Sequence, residues 1–267
     1  MNEDIIDIIS NSRLNQQLID INNISKINNL EEAYSIQDAV NDQLTKNGFG
    51  KISGFKIGCT NKDIQAELNV SNPIFGAFFK NKIHPNKKTI SLKNFIKVGV
   101  ECELYVVISK DVNKNIYYNK SNINTFISHY GLSLEIIEDR LSNIKETNIE
   151  TIIADGSLGN SIILGKKNKN NIKDFSQFLG RIFINDEEIH ANFSKSVLGN
   201  PLNALKWYFD QKIKLNKNIK TGEIISLGSI TPLIWVNEPC SVKVSIDNLD
   251  QLLSLIHISE PTRLGFI

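Results

Sequence analysis

Apolar and polar positions change their period along this chain. From Leu30 to Asn47, Ala33, Ile36, Val40 and Leu44 fall every three or four residues on one helical stripe, and Gly48 is placed to end it. Residues 3–47 as a whole read as helical. The segment Lys51-Ile-Ser-Gly-Phe-Lys-Ile-Gly58 reads as a short strand, followed by a brief helix through Leu68 capped by Thr60 or Asn61. Beyond it the pattern turns to strands. Val98–Ile108, rich in Val, Ile and Tyr, is the strongest, and Leu132–Ile137 is another. Arg181–His190 predicts a hairpin around Asn185-Asp186, without the usual Gly. Asn200-Pro201 supplies a helix cap and a first-turn proline for a helix to about Ile213, and Glu223–Leu227 returns to strand. Helices first and strands after predict an α+β fold whose sheets carry the site.

Composition narrows the function classes. The 267 residues suffice for a large core, and 41% apolar with 22% charged is the balance of a soluble globular protein. Thirty basic and 29 acidic side chains leave a net charge of +1, no field for gripping nucleic acid or an anionic membrane. The lysines of Gly165-Lys-Lys-Asn-Lys169 sit among Asn as a solvated loop. Cys59, Cys102 and Cys240 form no C-x-x-C pair, which argues against a disulfide framework or structural zinc and for a reducing compartment. The acidic start Met1-Asn-Glu-Asp4 lacks the blocks of a signal peptide, and no apolar run nears the ~20 residues that span a bilayer. A cytoplasmic location is expected.

Candidate chemistry lies in the acids. Glu101 and Glu103 stand two apart in a strand, so both carboxylates point the same way while Val100, Cys102, Leu104, Val106 and Ile108 form the other face. Alone, E-x-E also fits a strand with one wet face. Glu135, however, lies inside the apolar run Leu132-Ser-Leu-Glu-Ile-Ile137, where an unpaired carboxylate is costly. Three carboxylates with no nearby His or Cys favour a hard cation, Mg²⁺ or Mn²⁺, over zinc. His84, His129, His190 and His257 have no ligand spacing to one another. Glu138, Asp139 and Arg140 are expected in an exposed turn with local ion pairs.

These residues, in this order, resemble the 2-keto-4-pentenoate hydratase group of the fumarylacetoacetate hydrolase superfamily. The resemblance runs from about Glu31 to about Val244. It includes Ala33-Tyr-Ser-Ile-Gln37, Gly54-Phe-Lys-Ile-Gly-Cys-Thr60, Pro73-Ile-Phe-Gly76, Val100-Glu-Cys-Glu103 and Leu134-Glu-Ile136 followed by Arg140. It continues through Ile153-Ala-Asp-Gly156, Gly199-Asn-Pro-Leu202, Leu205-Lys-Trp207 and Gly222-Glu-Ile-Ile-Ser-Leu-Gly-Ser229. It implies a compact, mostly-β roll of mixed sheets preceded by N-terminal helices, assembled as a homo-oligomer. It implies Mg²⁺ or Mn²⁺ on Glu101, Glu103 and Glu135, with Lys56 beside the substrate and Asp155 near the same pocket. Thr60, Gly76, Ser229 and Thr231 are the expected substrate contacts. Two departures stand where selectivity is set: Ile74 in place of an acid, and Ala154-Asp-Gly-Ser-Leu-Gly-Asn160 in place of Ala-Asp-Asn-Ala-Ser.

The expected reaction is water addition to a 2-hydroxydienoate or 2-oxo-4-enoate, by a metal-dependent lyase of aromatic ring-cleavage catabolism. The same metal chemistry serves a 2-oxo-3-hexenedioate (4-oxalocrotonate) decarboxylase or an acylpyruvate C–C hydrolase. A non-catalytic paralogue binding a small acid is the third reading, against which the intact acids and Lys56 speak. Lys56 is either a general acid/base or a cationic clamp, or pairs with Asp155. Asp155 either orients Lys56 or a water, or caps a turn. The chain is expected to divide into an N-terminal helical segment (1–50), a catalytic mixed-β domain (51–252) and a tail (253–267). Leu253 to Arg263 reads as an in-frame translation of a transposase sequencing adapter, and Pro261 excludes a regular central strand there. The tail is expected on the surface, burying little.

Overall fold

Each change of period in the sequence becomes a change of element. The computed structural model describes residues 2–68, 70–86, 89–169 and 174–257. Helices α1 (Asn2–Asn15) and α2 (Leu30–Leu44) come first, then β1 (Ile52–Gly58), α3 (Lys62–Glu67) and β2 (Ile74–Phe79). Short strands β3 (Ile83–Pro85) and β4 (Thr89–Ser91) lead to the long pair β5 (Val98–Ile108) and β6 (Ile127–Glu138). Next come α4 (Ile149–Ala154), β7 (Gly159–Leu164), the hairpin β8 (Leu179–Ile184) and β9 (Glu187–Phe193), and α5 (Pro201–Lys214). The chain continues through β10 (Ile224–Ser229), β11 (Ile234–Val236), β12 (Cys240–Ile246) and β13 (Asp250–His257).

Local chemistry accounts for the boundaries. Asn61 accepts from the Asp63 amide at 2.7 Å, so Asn61 and not Thr60 caps α3. Asn200 accepts from Leu202 N at 2.9 Å, with Pro201 in the first turn of α5. The β8–β9 turn needs no glycine because Asn185 (φ 49°) and Asp186 (φ 68°) both take the left-handed conformation that Asn and Asp tolerate.

One sheet has the order β2-β1-β10-β5-β6-β7-β3, with β11 also on β5; the other has the order β4-β13-β12-β8-β9. Pairing is mixed: β1 runs parallel to β10 and β3 to β7, whereas β10, β5, β6 and β7 are antiparallel in turn. The second sheet packs on the first through β8, β12 and β13 against β5 and β6. The β5–β6 register opposes Val100 to Ile136, Cys102 to Leu134 and Leu104 to Leu132, and this face is buried. Val242, Val244, Ile246, Ile182, Leu252 and Ile256 of the second sheet join the same core. Ile5 and Ile9 of α1 and Ala33, Ile36, Val40 and Leu44 of α2 join it too. The opposite face of β5 and β6 carries the polar site.

Three expectations are corrected. The E-x-E strand has no wet face, since Glu103 and Tyr105 are also buried. Glu138, Asp139 and Arg140 are not an exposed turn: all three are buried, and Arg140 is 1% exposed because its guanidinium is enclosed by carboxylates and carbonyls. The boundary at 252 also falls inside a strand. Leu253–His257 belong to β13, which lies between β12 and β4 in the second sheet. Alternation explains it: Leu252, Ser254 and Ile256 point inward and extend the apolar row of β12. The rest of the adapter-like stretch, Pro261 included, lies outside the described residues. Among the described residues, no helix is long and apolar enough to cross a membrane.

Candidate metal centre

Register alone brings the acids together. Antiparallel pairing sets Glu101 opposite Glu135 and Glu103 opposite Ser133, all on one face of the sheet. One carboxylate oxygen from each of Glu101, Glu103 and Glu135 lies within 4.8 Å of the others. Like charges opposed across strands repel, and burial adds to the cost. Glu135 is fully enclosed and Glu103 is 1% exposed; Glu101 is half-buried.

Lys56 reaches this cluster from β1, three strands from β6. Across a flat sheet that is about 14 Å, farther than two side chains standing perpendicular to it reach. The sheet therefore curls, and an irregularity in the β10–β5 register between Ser226 and Ser229 marks the bend. Lys56 Nζ then lies 2.8 Å from Glu135 Oε1. Burial pulls the Lys56 pKa down, but Glu135, Glu101 and Glu103 outweigh it and raise it above the usual lysine value. Burial raises all three carboxyls: Glu101 to about 7, Glu103 well above its ordinary value and Glu135 upward despite Lys56.

Three carboxylates against one ammonium leave a buried double negative charge when ionised. Lys56 alone, on Glu135 Oε1, faces these acids as a cation among the described residues. An all-oxygen donor set of this charge fits a divalent hard cation. Two donors fix the orientation of Glu103. Ser226 Oγ donates to its Oε2, and Gly228 N donates to the same atom at 3.3 Å. Ser133 Oγ is 3.4 Å from Ser226 Oγ. Gly228 sits at φ 106°, and a Cβ there would lie 2.2 Å from Thr60 Oγ1. Gly228→Ala is therefore expected to lose about 1–3 kcal/mol in urea unfolding and to weaken Mn²⁺ binding. Parent-like values of both would separate this turn from the site.

Asp155 begins the loop against which the Lys56 stem packs. Its two carboxylate oxygens take Arg140 Nε at 2.9 Å and Nη2 at 2.8 Å, and it is wholly buried. Of the alternatives for Lys56, the pairing with Asp155 is not formed: Lys56 pairs with Glu135 and Asp155 with Arg140. Arg140 also bonds Glu138 Oε2 at 3.0 Å, which Asn160 shares at 2.8 Å. A second guanidinium, Arg13 of α1, reaches the Asp155 carbonyl at 3.1 Å and the Gly159 carbonyl at 3.3 Å. Between those carbonyls Gly156, Ser157 and Leu158 all have positive φ (86°, 57° and 60°), at about 1–2 kcal/mol for each non-glycine. Ser157 Oγ ties this loop to Phe75 O at 2.9 Å.

The expected substrate contacts scatter around this frame. Gly76 is opposite Lys56 in β2, and a Cβ there would strike the Gly156 carbonyl at 2.1 Å. Thr60 packs against Gly228. Ser229, opposite Glu103, donates to Thr231 O at 2.5 Å, and Thr231 Oγ1 accepts from Cys102 N at 3.4 Å. Ser226, Ser133 and Arg13 are not singled out by the sequence pattern. Ser226 sits in the apolar run Ile224-Ile-Ser-Leu227, the same signal that marks Glu135.

No family model matches the chain. Curated relatives include 2-keto-4-pentenoate hydratase 1 of Dechloromonas aromatica, 24% identical over 226 residues, covering 84% of this chain and 85% of the relative. A 2-keto-4-pentenoate hydratase of Paraburkholderia phymatum is 27% identical over 221 residues, covering 81% of this chain and 82% of the relative. A 2-hydroxyhexa-2,4-dienoate hydratase of Comamonas testosteroni is 24% identical over 187 residues, covering 69% of this chain and 70% of the relative. Among solved structures, 4-oxalocrotonate decarboxylase from Pseudomonas putida G7, complexed with calcium and acetate, superposes with a TM-score of 0.87 at 20% identity. That match covers 96% of this chain and 98% of the other. Fumarylpyruvate hydrolase from Pseudomonas aeruginosa, with Mn²⁺ and pyruvate, gives 0.57 at 12% identity, covering 77% and 89%. These structures share the α+β fold of mixed sheets expected from the sequence.

Proposed function

We propose that this chain, a relative of the 2-keto-4-pentenoate hydratases built on the fumarylacetoacetate hydrolase fold, is a hydro-lyase that adds water to a 2-hydroxydienoate or its 2-oxo-4-enoate tautomer in aromatic ring-cleavage catabolism. One observation carries the reading. Glu101, Glu103 and Glu135 converge within 4.8 Å while Lys56 reaches the same Glu135.

Glu101, Glu103 and Glu135 would hold a Mg²⁺ or Mn²⁺ ion, which would supply Lewis-acid polarisation to a 2-oxo acid. The chain's own groups do the rest. Lys56 stays protonated beside Glu135 and is the cation that meets the acid, either delivering a proton to its remote carbon or holding its carboxylate. Ser226 and Gly228 fix Glu103 in one orientation, so the carboxylates need no rearrangement during reaction. Gly76, Thr60, Ser229 and Thr231 border the substrate, with Ile74 in the strand next to Gly58. Asp155 supports the site through its loop, on which the Lys56 stem packs. The N-terminal helices serve as part of one catalytic unit. The protein works in the cytoplasm, with its three cysteines as free thiols, and as a homo-oligomer.

The test is product identification with Mg²⁺ or Mn²⁺ present. A 2-hydroxydienoate should yield the 4-hydroxy-2-oxo acid, with loss of dienoate absorbance. Release of CO₂ from a 2-oxo-enedioate, with the dienoate untouched, would replace the hydratase by a decarboxylase.

A further inference from the structure

The N-terminal helix sends one side chain through the core to the loop that Lys56 rests on. Arg13 is 9% exposed, and its guanidinium lies 5.7 Å from the Phe79 ring. Its two donors go to the carbonyls of Asp155 and Gly159, the two ends of the left-handed run at 156–158. Arg140 reaches the same two carbonyls at 3.4 Å each. Two cations therefore clamp one strained loop, balanced by Asp155 and Glu138. The loop's last residue carries the Lys56 stem: a Cβ on Gly159 would lie 3.1 Å from Lys56 Cδ and 3.7 Å from its Cγ. A shift of the Gly159 backbone thus moves the ammonium at the far end of that stem, 2.8 Å from Glu135.

We infer that Arg13 is a positioning residue: it locks the 155–159 loop and thereby sets where the Lys56 ammonium stands relative to Glu135. The helix α1 is then part of the catalytic apparatus, although no residue of it touches the carboxylates. Arg140 is the weaker half of this clamp: it reaches both carbonyls from one nitrogen, Nη2, which it shares with the Asp155 carboxylate, whereas Arg13 gives each carbonyl its own nitrogen at a shorter distance. A planar fork is needed to span two carbonyls, so lysine at position 13 should hold the charge without the geometry.

The kinetic test rests on the hydratase reading. Arg13→Met and Arg13→Lys should lower kcat about tenfold or more, with KM and Mn²⁺ affinity within about twofold of the parent. In a Lys56→Met background the same replacements should have no further effect, since the residue they act through is gone. An equal kcat loss in both backgrounds, an unchanged kcat, or KM and Mn²⁺ affinity drifting along with kcat would each overturn the inference. If Arg13→Met does not fold, Arg13→Lys decides. If the parent turns over none of the tested acids, the hydratase reading falls while this one stays testable. In a crystal structure of Arg13→Lys, loss of the 2.8 Å Lys56–Glu135 contact would sustain it and retention would overturn it.

Discussion

Glu101→Gln is expected to weaken Mn²⁺ binding by about a hundredfold or more and to remove turnover, with parent-like far-UV circular dichroism. Glu101 stands directly opposite Glu135 and is the least buried of the three acids, so its loss disturbs packing least. The substitution should also change how metal-free stability depends on pH. Burial, opposed by Lys56 and assisted by Glu135, holds the Glu101 carboxyl at about 7 from an ordinary 4.5. The folded chain therefore keeps a proton that the unfolded chain has released. That stability is present below about 4.5 and is lost as pH rises through about 7. In chelator, the parent should melt several degrees higher at pH 5 than at pH 8, and Glu101→Gln should reduce the difference, leaving the share of Glu103 and Glu135. Saturating Mn²⁺ should stabilise the parent at pH 8 and scarcely affect the variant. Equal Mn²⁺ affinity in parent and variant would remove Glu101 from the site.

Lys56→Met is expected to lower kcat by roughly a hundredfold or more if the ammonium transfers protons. The substitution keeps most of the stem that packs on Gly159 and deletes only the charge beside Glu135. A clamp for the substrate carboxylate would show instead as a raised KM with kcat little changed. Mn²⁺ should bind the variant at least as tightly as the parent, because a competing cation has left Glu135. Weaker binding would mean that Lys56 supports the carboxylates rather than facing the substrate.

What the sequence made legible was local. The stripe of Ala33, Ile36, Val40 and Leu44, the Asn200-Pro201 start and the turn at Asn185-Asp186 are each decided within a few residues. So is the E-x-E pair, since strand alternation sets both carboxylates on one face. Glu135 was legible because a carboxylate in an apolar run demands a partner. What stayed hidden depends on register and on contacts far apart in the chain. Ser226 meets Glu103 only because β10 pairs with β5, and Arg13 meets its carbonyls across 142 and 146 positions. Glu138-Asp139-Arg140 reads as a solvated turn by composition, and only the arrival of Asp155 and Asn160 makes it a buried network. At the C-terminus, the adapter-like stretch from Leu253 and its Pro261 argue for a surface tail more loudly than the alternation of Leu252, Ser254 and Ile256 argues for a strand, yet the strand forms.

The central claim is that Glu101, Glu103 and Glu135 hold one divalent cation. A crystal structure with Mn²⁺, read by anomalous scattering at the manganese edge, tests it most directly. One peak is predicted, about 2.0–2.6 Å from an oxygen of each of the three carboxylates, with the Lys56 ammonium still facing the site. A peak elsewhere, or no peak at saturating Mn²⁺ with the three carboxylates converged on Lys56 alone, would contradict the claim.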